Sequence, residues 1–170
     1  MNANGVLSFG QSYNRRSPGF QFTTFTSPPI ITPFWDDINV NTGGRLYYRQ
    51  ESDPRTAEQI GQEISSQFPE AEFFYPSLVF VATWDGVPPI GYLTGQGNRF
   101  NTFQVIVASN GTWTFVKFNY YRIDWGELYT LIGISAGDRL NFISHPKSRT
   151  TSVLLLDHTN VIYRIDGKLC

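Results

Sequence analysis

The sequence predicts a mainly β domain built from antiparallel, sandwich-like sheets with one amphipathic helix near residues 54–68. Three observations carry that prediction. Phe, Tyr and Trp make up 16% of the 170 residues and fall in short runs, and these are side chains that strands favour. Fifteen Gly and ten Pro break up those runs at short intervals, as turns require. Finally, FQVIVAS and TWTFVKFNYY, between Phe103 and Tyr121, are two alternating segments joined across Asn110-Gly111, the dipeptide best suited to a type I′ hairpin turn.

From the N-terminus, strands are predicted at 5–10, 30–35 and 45–50, each bounded by Gly, Pro, Asn or Asp. A helix follows. Asp53 can cap it, Pro54 suits its first position, and Ala57, Ile60, Gly61, Ile64 and Phe68 recur at helical spacing as a core-facing stripe. A strand at 78–84 leads into the Gly- and Pro-rich stretch from Asp85 to Asn101, read as a surface loop. In the hairpin, Thr112, Thr114, Val116 and Phe118 share one face and Trp113, Phe115, Lys117 and Asn119 the other. Both faces are partly apolar, which places the hairpin centrally. Further strands are predicted at 128–134, 140–144, 152–156 and 160–165. Trp35, Trp84, Trp113 and Trp125 are expected in the core, because aromatics in strands are the main packing material. No repeat or linker divides the chain, so residues 1–170 read as one domain.

Charge and hydropathy narrow the function classes. Thirteen Lys and Arg against fourteen Asp and Glu give a net charge of -1 with no basic run, so the electrostatic footprint of a nucleic-acid binder is missing. The apolar runs, such as LVFVA and VLLL, fall far short of the roughly 20 residues that span a bilayer, so this segment is not expected to insert into a membrane. The N-terminal residues MNANGVLSFG lack the pattern of a signal peptide. The single cysteine, Cys170, reads either as a free thiol or as the opening residue of a cysteine-bearing module.

Each candidate for chemistry has a plainer reading. Gly133-Ile134-Ser135-Ala136-Gly137 matches the G-x-S-x-G pattern of a hydrolase nucleophile elbow. The elbow needs a helix after its serine, whereas Asp138, Arg139 and LNFIS read as a turn into another strand. His145 and His158 lack the i, i+4 spacing of a helical zinc site. Asp36 and Asp37, with Glu51 or Asp53 near in sequence, are weak calcium candidates and more often such a pair caps a turn. Gly95-Gln96-Gly97 lacks the Lys of a phosphate loop. Asn110-Gly111-Thr112 is an N-glycosylation sequon at the hairpin tip, although the turn itself also favours Asn-Gly. No residue is assigned to catalysis or to a cofactor.

Taken together, several blocks in order resemble the NIDO domain, an extracellular module shared by nidogens, tectorins, mucin-4 and related matrix proteins. They are Asn4 to Gly10, Ile31 to Ile38, Gly44 to Arg49, Phe80 to Asp85, Asn101 to Val105 with the hairpin, Phe118-Asn119-Tyr120, Ile123-Asp124-Trp125, and Gly133 to Asp138. The resemblance covers nearly the whole chain and includes the apparent serine elbow as a turn of the family. It implies a secreted, non-catalytic glycoprotein module of a larger multi-module protein, active in cell-matrix adhesion or matrix assembly. The implied partners are matrix or cell-surface proteins, with glycans possible. It also implies a strand upstream of the Asn4 block and a disulfide from Cys170 to a neighbouring module. The 85–101 loop, with Tyr92, is the expected contact surface. Two other classes stay open: a carbohydrate-binding β-sandwich using Asp36, Asp37 or Asn39, and a small serine hydrolase using Ser135.

Overall fold

Both strands of the central hairpin are apolar on both faces, so the hairpin needs cover on both sides, and the fold supplies it. The computed structural model of the chain describes residues 1–19, 21–91 and 99–166. Strands β3 (Arg45–Gln50), β4 (Leu78–Val87), β5 (Asn101–Ser109), β6 (Thr114–Ile123) and β9 (Asn160–Arg164) form an antiparallel sheet in the order β3-β4-β5-β6-β9. Strands β1 (Leu7–Ser8), β2 (Ile30–Trp35), β7 (Leu131–Ser135) and β8 (Phe142–Ser144) form a second antiparallel sheet in the order β1-β2-β7-β8. The mainly β class with one helix is as the sequence indicated.

The principal core lies between the sheets and includes Ile31, Phe34, Trp84, Phe103, Phe118 and Ile132. Phe34 meets Phe103 at 5.3 Å and Trp125 edge-on at 5.4 Å, and the Tyr120 hydroxyl donates to the Pro33 carbonyl at 2.7 Å. Helix α1 (Pro54–Gln67) covers part of the outer face of the five-stranded sheet. Ile60 and Ile64 pack there with Val79, Val81, Ile106 and Phe115, and Lys117 on β6 pairs with Glu63 at 2.5 Å. Asp53 caps the helix by accepting the Arg55 N–H at 3.0 Å. On the far side of the four-stranded sheet, Tyr13, Phe22 and Phe25 from the 11–28 segment pack on Ile30, Trp35 and Leu131.

The structure departs from the sequence reading in four places. Residues 151–156 are a 3₁₀ helix, not a strand. Val153 and Leu156 are buried three residues apart while Leu154 and Leu155 are exposed, which fits three residues per turn and not a period of two. The hairpin tip is a four-residue loop, Asn110 to Trp113, and not a type I′ turn. Asn110 Oδ1 accepts the N–H groups of Thr112 (3.0 Å) and Trp113 (2.8 Å), and of Asn110 and Gly111 only Gly111 has positive φ. The Asn side chain competes successfully with the backbone for those donors. Trp35, Trp84 and Trp125 are fully buried, but Trp113, on this loop, is half-buried beneath the Arg164 guanidinium at 5.1 Å. Several strand limits also move: β1 is two residues long, β4 runs on to Val87 through a register shift after Trp84, and β7 and β8 begin at Leu131 and Phe142.

Candidate functional site

Among the described residues, helix α1 covers only part of the sheet face it lies on. Side chains alternate along each strand, so the face carrying Val79, Val81, Ile106 and Phe115 continues as Thr83, Gln104 and Asn119. The strand registers join these into one row with a residue from every strand: Tyr47, Thr83, Gln104, Asn119 and Asn160. Four inter-strand steps of about 4.8 Å make the row roughly 19 Å long.

The row is internally ordered. Asn119 Nδ2 donates to Gln104 Oε1 at 3.2 Å, and Gln104 Nε2 donates to Thr83 Oγ1 at 2.8 Å. Tyr47 stands at one end, 48% exposed, on the edge strand β3. Tyr121, 70% exposed, sits beside the row at the bulge where Thr102 faces Arg122 and Phe103 faces Tyr120. Two open hollows meet at Tyr121, one lined by Gly44, Arg45, Asp85, Thr102, Tyr121 and Arg122 and a smaller one by Asn119, Tyr121, His158 and Asn160.

Charges around this face nearly balance. Arg122 pairs with Asp124 at 2.6 Å and Arg49 with Glu51 at 3.0 Å, while Arg45 and Asp85 are direct cross-strand neighbours. Asp157, which accepts the Ile123 N–H at 2.9 Å, adds a further carboxylate near Arg122, so three arginines stand against four carboxylates. The Arg122–Asp124 pair is fixed from below by Asn101, which is fully buried. Its Oδ1 accepts the N–H groups of Asp124 (2.9 Å) and Trp125 (3.1 Å), and its Nδ2 donates to the Trp125 carbonyl at 2.8 Å.

The residues singled out from sequence lie elsewhere. Asp36 is buried at the end of β2, where its carboxylate accepts the Thr130 hydroxyl (2.5 Å) and the Asp37 N–H (2.8 Å), tying β2 to the turn before β7. Asn39 Oδ1 accepts the Asn41 N–H. Among the described residues no three His, Cys, Asp or Glu gather as a metal cluster. Ser135 is 1% exposed, and its Oγ accepts the Gly137 N–H at 3.0 Å. His145 Nδ1 accepts the Lys147 N–H, and His158 is exposed beside Asp157 and Tyr121. Ser135 lines one wall of a cleft of about 380 Å³ between the sheets, with Phe9, Ile30, Ile134, Thr112 and Ile165. Asn110 is exposed at the hairpin tip near the mouth of that cleft. Tyr92 and Cys170 lie outside the described residues, as do Gly95 to Gly97.

Asp36 has a measurable signature. Burial, with lesser repulsion from Glu127 and Asp37, pushes its carboxyl above the usual carboxylate range against the two hydrogen bonds it accepts. The folded state therefore holds this proton more tightly than the unfolded chain does. Its contribution to stability is fully present below the unfolded value near 4 and is lost as pH rises through the raised folded value. The Tm of the wild type relative to Asp36→Asn, which cannot titrate, is expected to rise as pH is lowered from about 7 to about 4. A flat or reversed difference in thermal melts would refute this.

Comparison with known proteins adds the family. The family described as "Nidogen-like domain" (NIDO) matches residues 1–168. Mouse alpha-tectorin is 30% identical over 189 aligned residues, covering 99% of this chain and 9% of that protein. Dendrite extension defective protein 1 of Caenorhabditis elegans is 28% identical over 91% of this chain and 13% of its own length. Mouse nidogen-1 is 30% identical over 69% of this chain and 10% of its own length. The chain thus spans about a tenth of these relatives. No solved structure matches it. Among the described residues no helix is long and apolar enough to cross a membrane.

Proposed function

Since this chain belongs to the nidogen-like domain family of extracellular matrix modules, we propose that it works without catalysis, holding matrix components together through the open part of its five-stranded sheet. The observation that carries this reading is the row from Tyr47 to Asn160. It is an ordered polar surface contributed by all five strands, exposed at Tyr47 and Asn160 and half-buried at Thr83, Gln104 and Asn119, beside a helix that covers another part of the same face. Binding residues on a rigid sheet keep their geometry without the entropy cost of ordering a loop. A glycan on Asn110 fits the same picture. Asn119 lies five residues along β6 from the strand's first residue, Thr114, and Asn110 lies beyond that end, so a sugar there leaves the row clear. The reading also moves the contact surface from the 85–101 loop alone to the sheet beside it.

The test is retention of the soluble chain on decellularised fibroblast matrix. Asn119→Arg puts a long charged side chain in the middle of the row and is expected to lower retention about tenfold, as loss of a central contact does, while the circular dichroism spectrum and Tm stay those of the wild type. Equal retention of the folded variant and the wild type would sink the proposal.

A further inference from the structure

We infer that the ligand of the open row is a neutral oligosaccharide; this deepens the surface-contact reading above and rests on it. The argument is one of chemical matching. A sugar presents hydroxyls that both donate and accept, and C–H faces that lie against aromatic rings. The row offers the counterpart of each.

Each side-chain amide has two N–H donors and a carbonyl with two lone pairs. The chain Asn119–Gln104–Thr83 uses one N–H of each amide and one lone pair of Gln104. One N–H of each amide, the second lone pair of Gln104 and the Asn119 carbonyl remain for a ligand. Because the amides already hold each other, their orientation is set before binding, which lowers the cost of ordering them. Tyr47 and Tyr121 expose their rings at one end of the row and beside it, where a saturated ring can stack on the electron-rich aromatic face. The arginines beside the row are matched or outnumbered by carboxylates, which leaves no positive charge to select an anionic chain. A protein partner would find the wrong surface, because the fully buried centre of a protein interface is the apolar part and the centre of this row is amide and hydroxyl.

The experiment is binding of the folded chain to an array of neutral mannose-, galactose- and N-acetylglucosamine-terminated oligosaccharides printed beside sulfated and sialylated ones. Hits are then titrated calorimetrically. Tyr121→Ala and Asn119→Leu are expected to raise the dissociation constant for a neutral hit at least about tenfold. Tyr48→Ala is the control: Tyr48 is equally exposed to solvent on β3 but stacks on Phe80 at the opposite face, and its loss is expected to change nothing. Binding only to sulfated or sialylated glycans, or binding to neutral ones that ignores Tyr121 and Asn119, would overturn the inference. Matrix retention offers the arm that separates the two readings. If Asn119→Arg abolishes retention but stripping the matrix of its glycans does not, the oligosaccharide is wrong and the surface-contact function stands. If Asn119→Arg leaves retention intact, the function itself is wrong.

Discussion

Asn101→Leu is expected to lower the unfolding free energy by roughly 3 to 5 kcal/mol, because it removes a buried clamp and leaves its partners unsatisfied. Asn101 alternates along β5 with Phe103, Val105 and Val107 and so faces the core, yet it is polar. Its amide takes three backbone groups at the connection leaving β6: the N–H of Asp124 and both the N–H and carbonyl of Trp125. Leucine fills a similar volume and offers those groups nothing. A buried polar group left without a partner costs about 1 to 3 kcal/mol, so the loss exceeds the apolar gain. The consequence reaches the functional face. Asp124 also accepts the Phe100 N–H at 3.0 Å and holds Arg122, which lines the hollow beside Tyr121. Urea unfolding is expected to show a much lower midpoint with an unchanged slope. An unfolding free energy within about 1 kcal/mol of the wild type would mean that the clamp is dispensable.

Gly137→Ala is expected to cost about 4 kcal/mol, while Ser135→Ala, two residues away, costs only about 1 kcal/mol. The contrast decides what the G-x-S-x-G sequence is for. Gly137 has φ of +87°, and a Cβ there would sit 1.9 Å from the Ser27 carbonyl oxygen. That crossing is fixed, because the Ser27 N–H donates to the Gly137 carbonyl at 3.1 Å. An alanine must therefore both adopt a disfavoured backbone region and push two chain segments apart. Gly133 shows the same crowding, with the Ile143 carbonyl oxygen 2.1 Å from where a Cβ would lie. The serine between them loses a single hydrogen bond to the Gly137 N–H. In a protein of this size 1 kcal/mol corresponds to roughly 2 to 4 °C, so Gly137→Ala should melt about 8 to 16 °C lower and Ser135→Ala only a few degrees lower. If Gly137→Ala melts with the wild type, the close-crossing account is wrong. Esterase turnover that disappears in Ser135→Ala would restore the nucleophile reading.

Where local chemistry decides, the sequence reading and the structure agree. The Asp53 cap, Pro54 and the Ile60/Ile64 stripe mark α1 to within a residue, because capping and period 3.6 act over one or two turns. Strands β2 and β3 fall at their expected limits for the same reason. Sequence and structure differ where two local forms compete. VLLL suits a strand by composition, but only packing shows that Val153 and Leu156 are the pair that goes inward. Asn-Gly suits a type I′ turn, but the Asn110 side chain closes the longer loop instead. Asn101 carried a signal that could have been used, a polar residue on the inward face of an alternating strand. The aspartates read only as weak calcium candidates, with a turn cap the commoner use of such a pair, and the folded chain uses Asp36 to tie β2 to the turn before β7.

The sequence by itself determined most of the strands, the helix, the two-faced hairpin and, through its ordered blocks, the family. All of these are written in stretches of a few residues, where side-chain period, turn chemistry and capping act directly. Only the tertiary structure decided which strands are neighbours, which face α1 covers and where that cover stops. Tyr47 and Asn160 are members of one row although five strands, β4 to β8, lie between them in the chain, and nothing local to either residue relates them. Their alignment is fixed by hydrogen-bonded registers between strands and by burial of the opposite face against the second sheet, and both are interactions between segments distant in sequence.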